Sequence, residues 1–134
     1  MRQTGLGTIP LVTTTRQPPW QYLSVMFRGA PPTGLKVPGG FSASPDLGNK
    51  MKPATDTFSV ERYFDADTYL DEPMAKLCAS VRQTVHQHGL EVLGFMMFAR
   101  VTNEAPGFGV TLSPKVLAAV AAFGVTFDLS VYIG

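Results

Sequence analysis

The sequence predicts an α+β fold: a single-layer sheet of four or more strands with two helices packed on one face, in the order β-β-α-β-α-β. Three observations carry this. Four segments alternate apolar and polar residues with the period of a strand. Two others repeat apolar residues at i, i+3, i+4 and i+7 between recognisable start and stop residues. Helices with a single apolar stripe must bury it, and one layer of helices on one sheet is the simplest packing.

In the first strand, Gln21–Arg28, Leu23, Val25 and Phe27 point one way and Tyr22, Ser24, Met26 and Arg28 the other. The second, Asp56–Phe64, sets Phe58, Val60 and Arg62 against Thr57, Ser59, Glu61 and Tyr63. A helix follows. Asp71 is the expected cap and Pro73 suits a first turn. Met74, Leu77, Cys78, Val81 and Val85 form its stripe, and Gly89 ends it. The third strand, Glu91–Val101, is apolar on both sides, as expected of an interior strand. The second helix has the strongest local signals: Ser113 as cap, Pro114 in the first position, Gly124 at the close. Val116, Leu117, Val120 and Phe123 are its expected buried stripe. The last strand is Val125–Ile133.

Two segments read differently. Residues 1–19 are interrupted by Pro10, Pro18 and Pro19 and are expected to be a tail or an edge strand. Residues 20–134 then make one domain. Within it, residues 29–56 hold five glycines and five prolines. That density predicts a long loop without a helix or central strand, either mobile or ordered by contact with a partner.

Composition bounds the function. Eleven Lys and Arg against ten Asp and Glu leave a net charge of +1, too weak a field to draw in nucleic acid or an anionic membrane. Low net charge also favours self-association. With Cys78 alone, no intrachain disulfide can form, which suits a reducing, cytoplasmic setting. No secretory leader is read at the N-terminus, and no apolar run approaches the roughly 20 residues of a membrane span.

From Val110-Thr-Leu-Ser-Pro-Lys-Val-Leu through Phe123-Gly-Val-Thr-Phe-Asp-Leu-Ser-Val-Tyr132, the chain resembles a family of small bacterial proteins known as domain of unknown function forty-two seventy-nine. The shared features are the Leu-Ser-Pro helix start, a Gly, an alternating strand with an Asp, and a Tyr near the terminus. The acidic start of the first helix, Asp65 to Glu72, and the strand Phe58–Phe64 are compatible, so the resemblance covers about residues 56–134. It implies an α+β fold and brings no catalytic residues.

Each chemical motif has a plainer explanation. Cys78 lies on the apolar stripe, where free cysteine acts as a small hydrophobe. His86 and His88 are two apart, which puts them on different helix faces, poorly placed as joint metal ligands. Gly40-Phe-Ser-Ala-Ser44 lacks the second glycine of a nucleophile elbow. Gly5-Leu6-Gly7 and Gly48-Asn49-Lys50 lack the spacing of nucleotide-binding loops. We therefore expect no cofactor, no metal and no catalytic residue.

The candidate site comes from geometry. If the helices cover Leu23, Val60, Phe95 and Phe127, the opposite face collects Tyr22, Met26, Arg28, Glu61, Tyr63, Met96, Phe98, Arg100, Asp128 and Tyr132. Tyrosines, methionines and arginines are the composition of recognition surfaces. The plainer alternative is a solvated face with cross-strand ion pairs. The first expectation is a binding or interaction module using this face, with a protein partner or a homodimer partner on it. The second is a small-molecule or catalytic domain with a pocket between the face and loop 29–56. Glu61, Asp128, Arg28 and Arg100 would then be its polar groups.

Overall fold

A computed structural model of the chain describes residues 19–45, 56–102 and 110–133. The expected tail or edge strand before Pro19 lies outside these residues, as do Lys50 and Lys52 of the long loop.

Five strands form one mixed sheet in the order β2-β3-β1-β4-β5. They are β1 (Trp20–Arg28), β2 (Ser42–Pro45), β3 (Thr57–Asp65), β4 (Val92–Val101) and β5 (Thr126–Ile133). The helices are α1 (Asp71–His88) and α2 (Pro114–Ala121). β1 runs antiparallel to both β3 and β4, while β4 and β5 are parallel. The α+β class and the two helices on one face are as the pattern predicts.

Strand β2 lies inside the Gly/Pro-rich loop, where the sequence predicts no strand. It spans four residues with a terminal proline, and such a strand is tolerated only at an edge. The described half of that loop packs on the helix side. Leu35 and Val37 lie against the core, and Phe41 is buried with its ring 6.1 Å from that of Phe64.

The core lies between sheet and helices. Leu23, Val25 and Phe27 of β1, Phe58 and Val60 of β3, and Phe95 and Met97 of β4 meet Met74, Leu77, Cys78 and Val81 of α1. Val116 and Val120 add the contribution of α2. Phe27 and Phe58 face each other across β1 and β3, stacked with centroids 5.0 Å apart.

The end of α1 and the start of α2 follow the sequence signals; the start of α1 does not. Gly89 and Gly124 take left-handed backbone angles, φ of 66° and 65°, which glycine adopts without strain. Ser113 accepts a hydrogen bond from the Val116 amide, 3.2 Å, as a helix cap should. Asp71, however, caps nothing in its own helix. The cap position is held by Leu70, which has no side-chain cap bond. The Asp71 carboxylate instead accepts from the backbone N–H of Ser113 at 2.6 Å. It thus ties the start of α2 to the start of α1, a tertiary role that a local reading cannot see.

Leu117 corrects the expected stripe. Helix α2 ends at Ala121 rather than Phe123 and has only two fully buried residues, Val116 and Val120. Leu117 is 48% exposed. Truncation of a half-exposed leucine leaves little cavity, so Leu117→Ala should cost less than about 1 kcal/mol in chemical denaturation.

Gln21 sits on the core side at the start of β1 and is buried. Its amide nitrogen donates to the carbonyls of Asp65, Ala66 and Thr68 at 2.9–3.0 Å. These carbonyls belong to the turn that leads from β3 into α1. One side chain therefore fixes the turn from below.

Candidate functional site: the open sheet face

The registers place all ten predicted residues on the face away from the helices. Tyr22 lies opposite Tyr63 on β3 and Phe98 on β4. Met96 lies opposite Ser24 and Asp128, and Arg100 opposite Trp20 and Tyr132. Met26 lies opposite Ser59 and Gly94.

Trp20 joins the ten on this face. The prolines at 18 and 19 hid the start of the strand, although the parity of β1 assigns residue 20 to the same face. It proves to be the centre of an aromatic band. Its ring meets Tyr63 edge-on at 5.2 Å and stacks with Phe98 at 5.5 Å. Tyr22 and Tyr63 are 4.8 Å apart, and Phe98 continues to Tyr132 at 6.5 Å. The band crosses four strands. Its ends, Tyr63 and Tyr132, are each more than half exposed.

One polar cluster is set into the band. The Tyr22 hydroxyl donates to Glu61 Oε1 at 2.7 Å, and Ser59 Oγ donates to the same oxygen at 3.1 Å. Burial, and then the hydrogen bond to Glu61, push the Tyr22 hydroxyl up from 10.0 to about 12. It therefore stays protonated at neutral pH and holds the carboxylate in place.

The remaining charges do not converge. Asp128 accepts from its own neighbour Ser130 at 3.1 Å. β1 and β4 lie between it and Glu61, a gap of roughly 14 Å at ordinary strand spacing. Arg28 lies at the far end of β1, paired with Glu91 at 2.9 Å in solvent. The four polar groups of the expected catalytic pocket are thus spread across the sheet. The described half of loop 29–56 does not roof them either, since it packs on the other side. Among the described residues, no group of three His, Cys, Asp or Glu side chains is placed to hold a metal ion.

A hollow of about 880 Å³ opens elsewhere, at the end of the sheet between loop residues 38–41, β3 and the first turn of α1. Trp20, Phe41, Arg62, Tyr63, Glu72 and Lys76 are among its walls. Arg62 holds the loop there: it donates to the Gly39 carbonyl at 3.0 Å and lies 4.6 Å from the Phe64 ring. Gly40 in that loop has a φ of +84°, a backbone conformation that glycine adopts without strain. The groove meets the aromatic band at Trp20 and Tyr63.

Cys78 is buried among core residues, and burial pushes its thiol up from 9.0 to about 11. It should resist a thiol reagent at pH 8 in the native state and react fully once denatured. Rapid native labelling would mean that α1 opens readily.

No helix among the described residues is long and apolar enough to cross a membrane. Compared with protein-family models, curated proteins and solved structures, the chain matches none.

Proposed function

We propose that the chain is a non-enzymatic binding module whose open sheet face receives a protein partner. The observation that carries this is the aromatic band from Tyr63 through Trp20 and Phe98 to Tyr132. Aromatic side chains with Met and Arg beside them supply large contact area at low entropic cost, as anchors of protein interfaces do. Rings already packed on one another pay little to be ordered on binding. The separation of Glu61 from Asp128 speaks against acid–base chemistry on this face. The resemblance of residues 56–134 to domain of unknown function forty-two seventy-nine brings no ligand, so the reading rests on the face itself.

The test is affinity capture with the native chain, with Phe98→Glu, with the double variant Tyr63→Ala/Tyr132→Ala, and with Ser44→Glu on the β2 edge as control. A partner retained by the native chain and the control should be lost, at least tenfold, by both face variants. The double variant removes exposed rings and spares the core, so it guards against misfolding of the first. A partner held equally by all four overturns the reading.

The groove at Arg62 and Lys76 favours a second reading, a small-molecule site. Its volume is in the range of ligand pockets. Ligand-induced NMR shifts confined to Phe41, Arg62 and Lys76, unchanged in Phe98→Glu, would support it over the face.

A further inference from the structure

The two edges of the sheet differ. β2 is four residues long, carries two serines and ends in Pro45, which blunts it against pairing. β5 is eight residues long and pairs with β4 along its whole length without a register shift. It contains no proline and no lysine, and its one charge is Asp128. Among the described residues no strand pairs with its outer side. Such an edge presents a row of backbone donors and acceptors to a further strand.

Its flank is apolar as well. Leu129, Val131 and Ile133 share the parity of Phe127 and so lie on the helix side, yet they are 52%, 50% and 62% exposed. The short α2 leaves them uncovered. Beside them is a hollow of about 380 Å³ whose walls include Leu112, Leu117, Phe127 and Leu129. These side chains are more exposed than Met96 and Met26 of the open face, at 37% and 41%. The edge thus offers a second uncovered apolar surface, apart from the rings of the face.

We propose that β5 pairs antiparallel with β5 of a second copy, about a two-fold axis perpendicular to the sheet at Ser130, continuing the sheet to ten strands. A second copy fits because the strand is self-complementary. A perpendicular axis keeps the helix side of one copy beside that of the other, so like parity must oppose like parity. An axis at Asp128 would set two carboxylates side by side, which is destabilising. An axis at Leu129 would leave Ile133 beyond the end of the partner strand. With the axis at Ser130, Leu129 opposes Val131 and Phe127 opposes Ile133 of the other copy, while Asp128 opposes Tyr132. Each copy then delivers Val131 and Ile133 to the hollow beside Leu117 and Phe127 of the other. The net charge of +1 gives little repulsion between copies. A two-fold contact closes on itself and does not propagate. The inference does not rest on the open face, which the dimer leaves free.

Sedimentation equilibrium of the full chain tests it. The native chain should dimerise, and Val131→Lys/Ile133→Lys should raise the dissociation constant at least tenfold while keeping a native circular dichroism spectrum. Phe98→Glu should leave the dimer intact. Ser130→Cys under mild oxidation should give a disulfide-linked dimer, and Thr126→Cys should not, because in this register the two copies of residue 126 stand at opposite ends of the paired strands. A native chain that stays monomeric at high concentration overturns the proposal. So does a dimer indifferent to the lysine pair, or one dissociated by Phe98→Glu alone, which would move the contact to the face.

Discussion

Phe58→Ala is expected to cost the fold about 3–5 kcal/mol, the range for removal of a buried aromatic ring. Phe58 is fully buried on β3, next to the central strand β1, and stacks on the equally buried Phe27. The loss has two parts. The apolar area returns a cavity that α1 cannot fill, because Met74, Leu77 and Val81 are held by their own helix. The stacked pair adds about 0.5–1.5 kcal/mol beyond its area. A domain of this size commonly has about 5–15 kcal/mol in all, so the variant should melt far lower or fail to fold. Phe58→Leu, which keeps most of the volume, should cost clearly less. Equal losses for both, in urea denaturation, would mean that ring stacking rather than volume sets the requirement. A loss below about 1 kcal/mol for Phe58→Ala would place the core elsewhere.

What the sequence made legible follows from periodicity. The four long strands, both helices and the division of the sheet into a covered and an open face all follow from alternation and helical spacing. The ten face residues could be grouped before any register was known, because strand parity alone assigns a face. The misses share a cause: each depends on tertiary contact. β2 lies between prolines and glycines, and its pairing with β3 overrides that local bias. Trp20 follows two prolines, which hide the strand start. Leu117 has helical spacing, but an eight-residue helix beside an edge strand has no neighbour to cover it. Asp71 has the chemistry of a cap and spends it on the amide of Ser113, 42 residues away.

The open face and the β5 edge present different chemistries. The face offers packed rings with a fixed carboxylate on β3 beside them. The edge offers bare backbone and flexible aliphatic side chains. A flat ring surface suits contact with the side chains of another protein, whereas a bare edge suits main-chain pairing. The two features share only Asp128 and Tyr132, which belong to the face and stand on β5.

Gln21→Leu should destabilise the chain by about 1–3 kcal/mol, although leucine is apolar and of similar size. On the sequence alone the change looks favourable, since position 21 is buried on the core side of β1. The structure gives the opposite sign. The Gln21 amide supplies two hydrogens to three carbonyls, those of Asp65, Ala66 and Thr68, in the turn between β3 and α1. Leucine would remove the donor and leave these carbonyls facing an apolar group, which costs more than the bonds contributed. The damage should be local first. Amide exchange should quicken at residues 66–74, because the Thr68 amide bonds the Asp65 carbonyl and the Met74 amide bonds that of Leu70. β5 should keep its protection. Gln21→Glu should be at least as harmful near neutral pH, since a carboxylate placed against three carbonyls has nothing to donate, and it should recover in part as acid protonates it. Stability of Gln21→Leu equal to the native chain, with unchanged exchange at Thr68 and Met74, would show that the turn is held without the clamp.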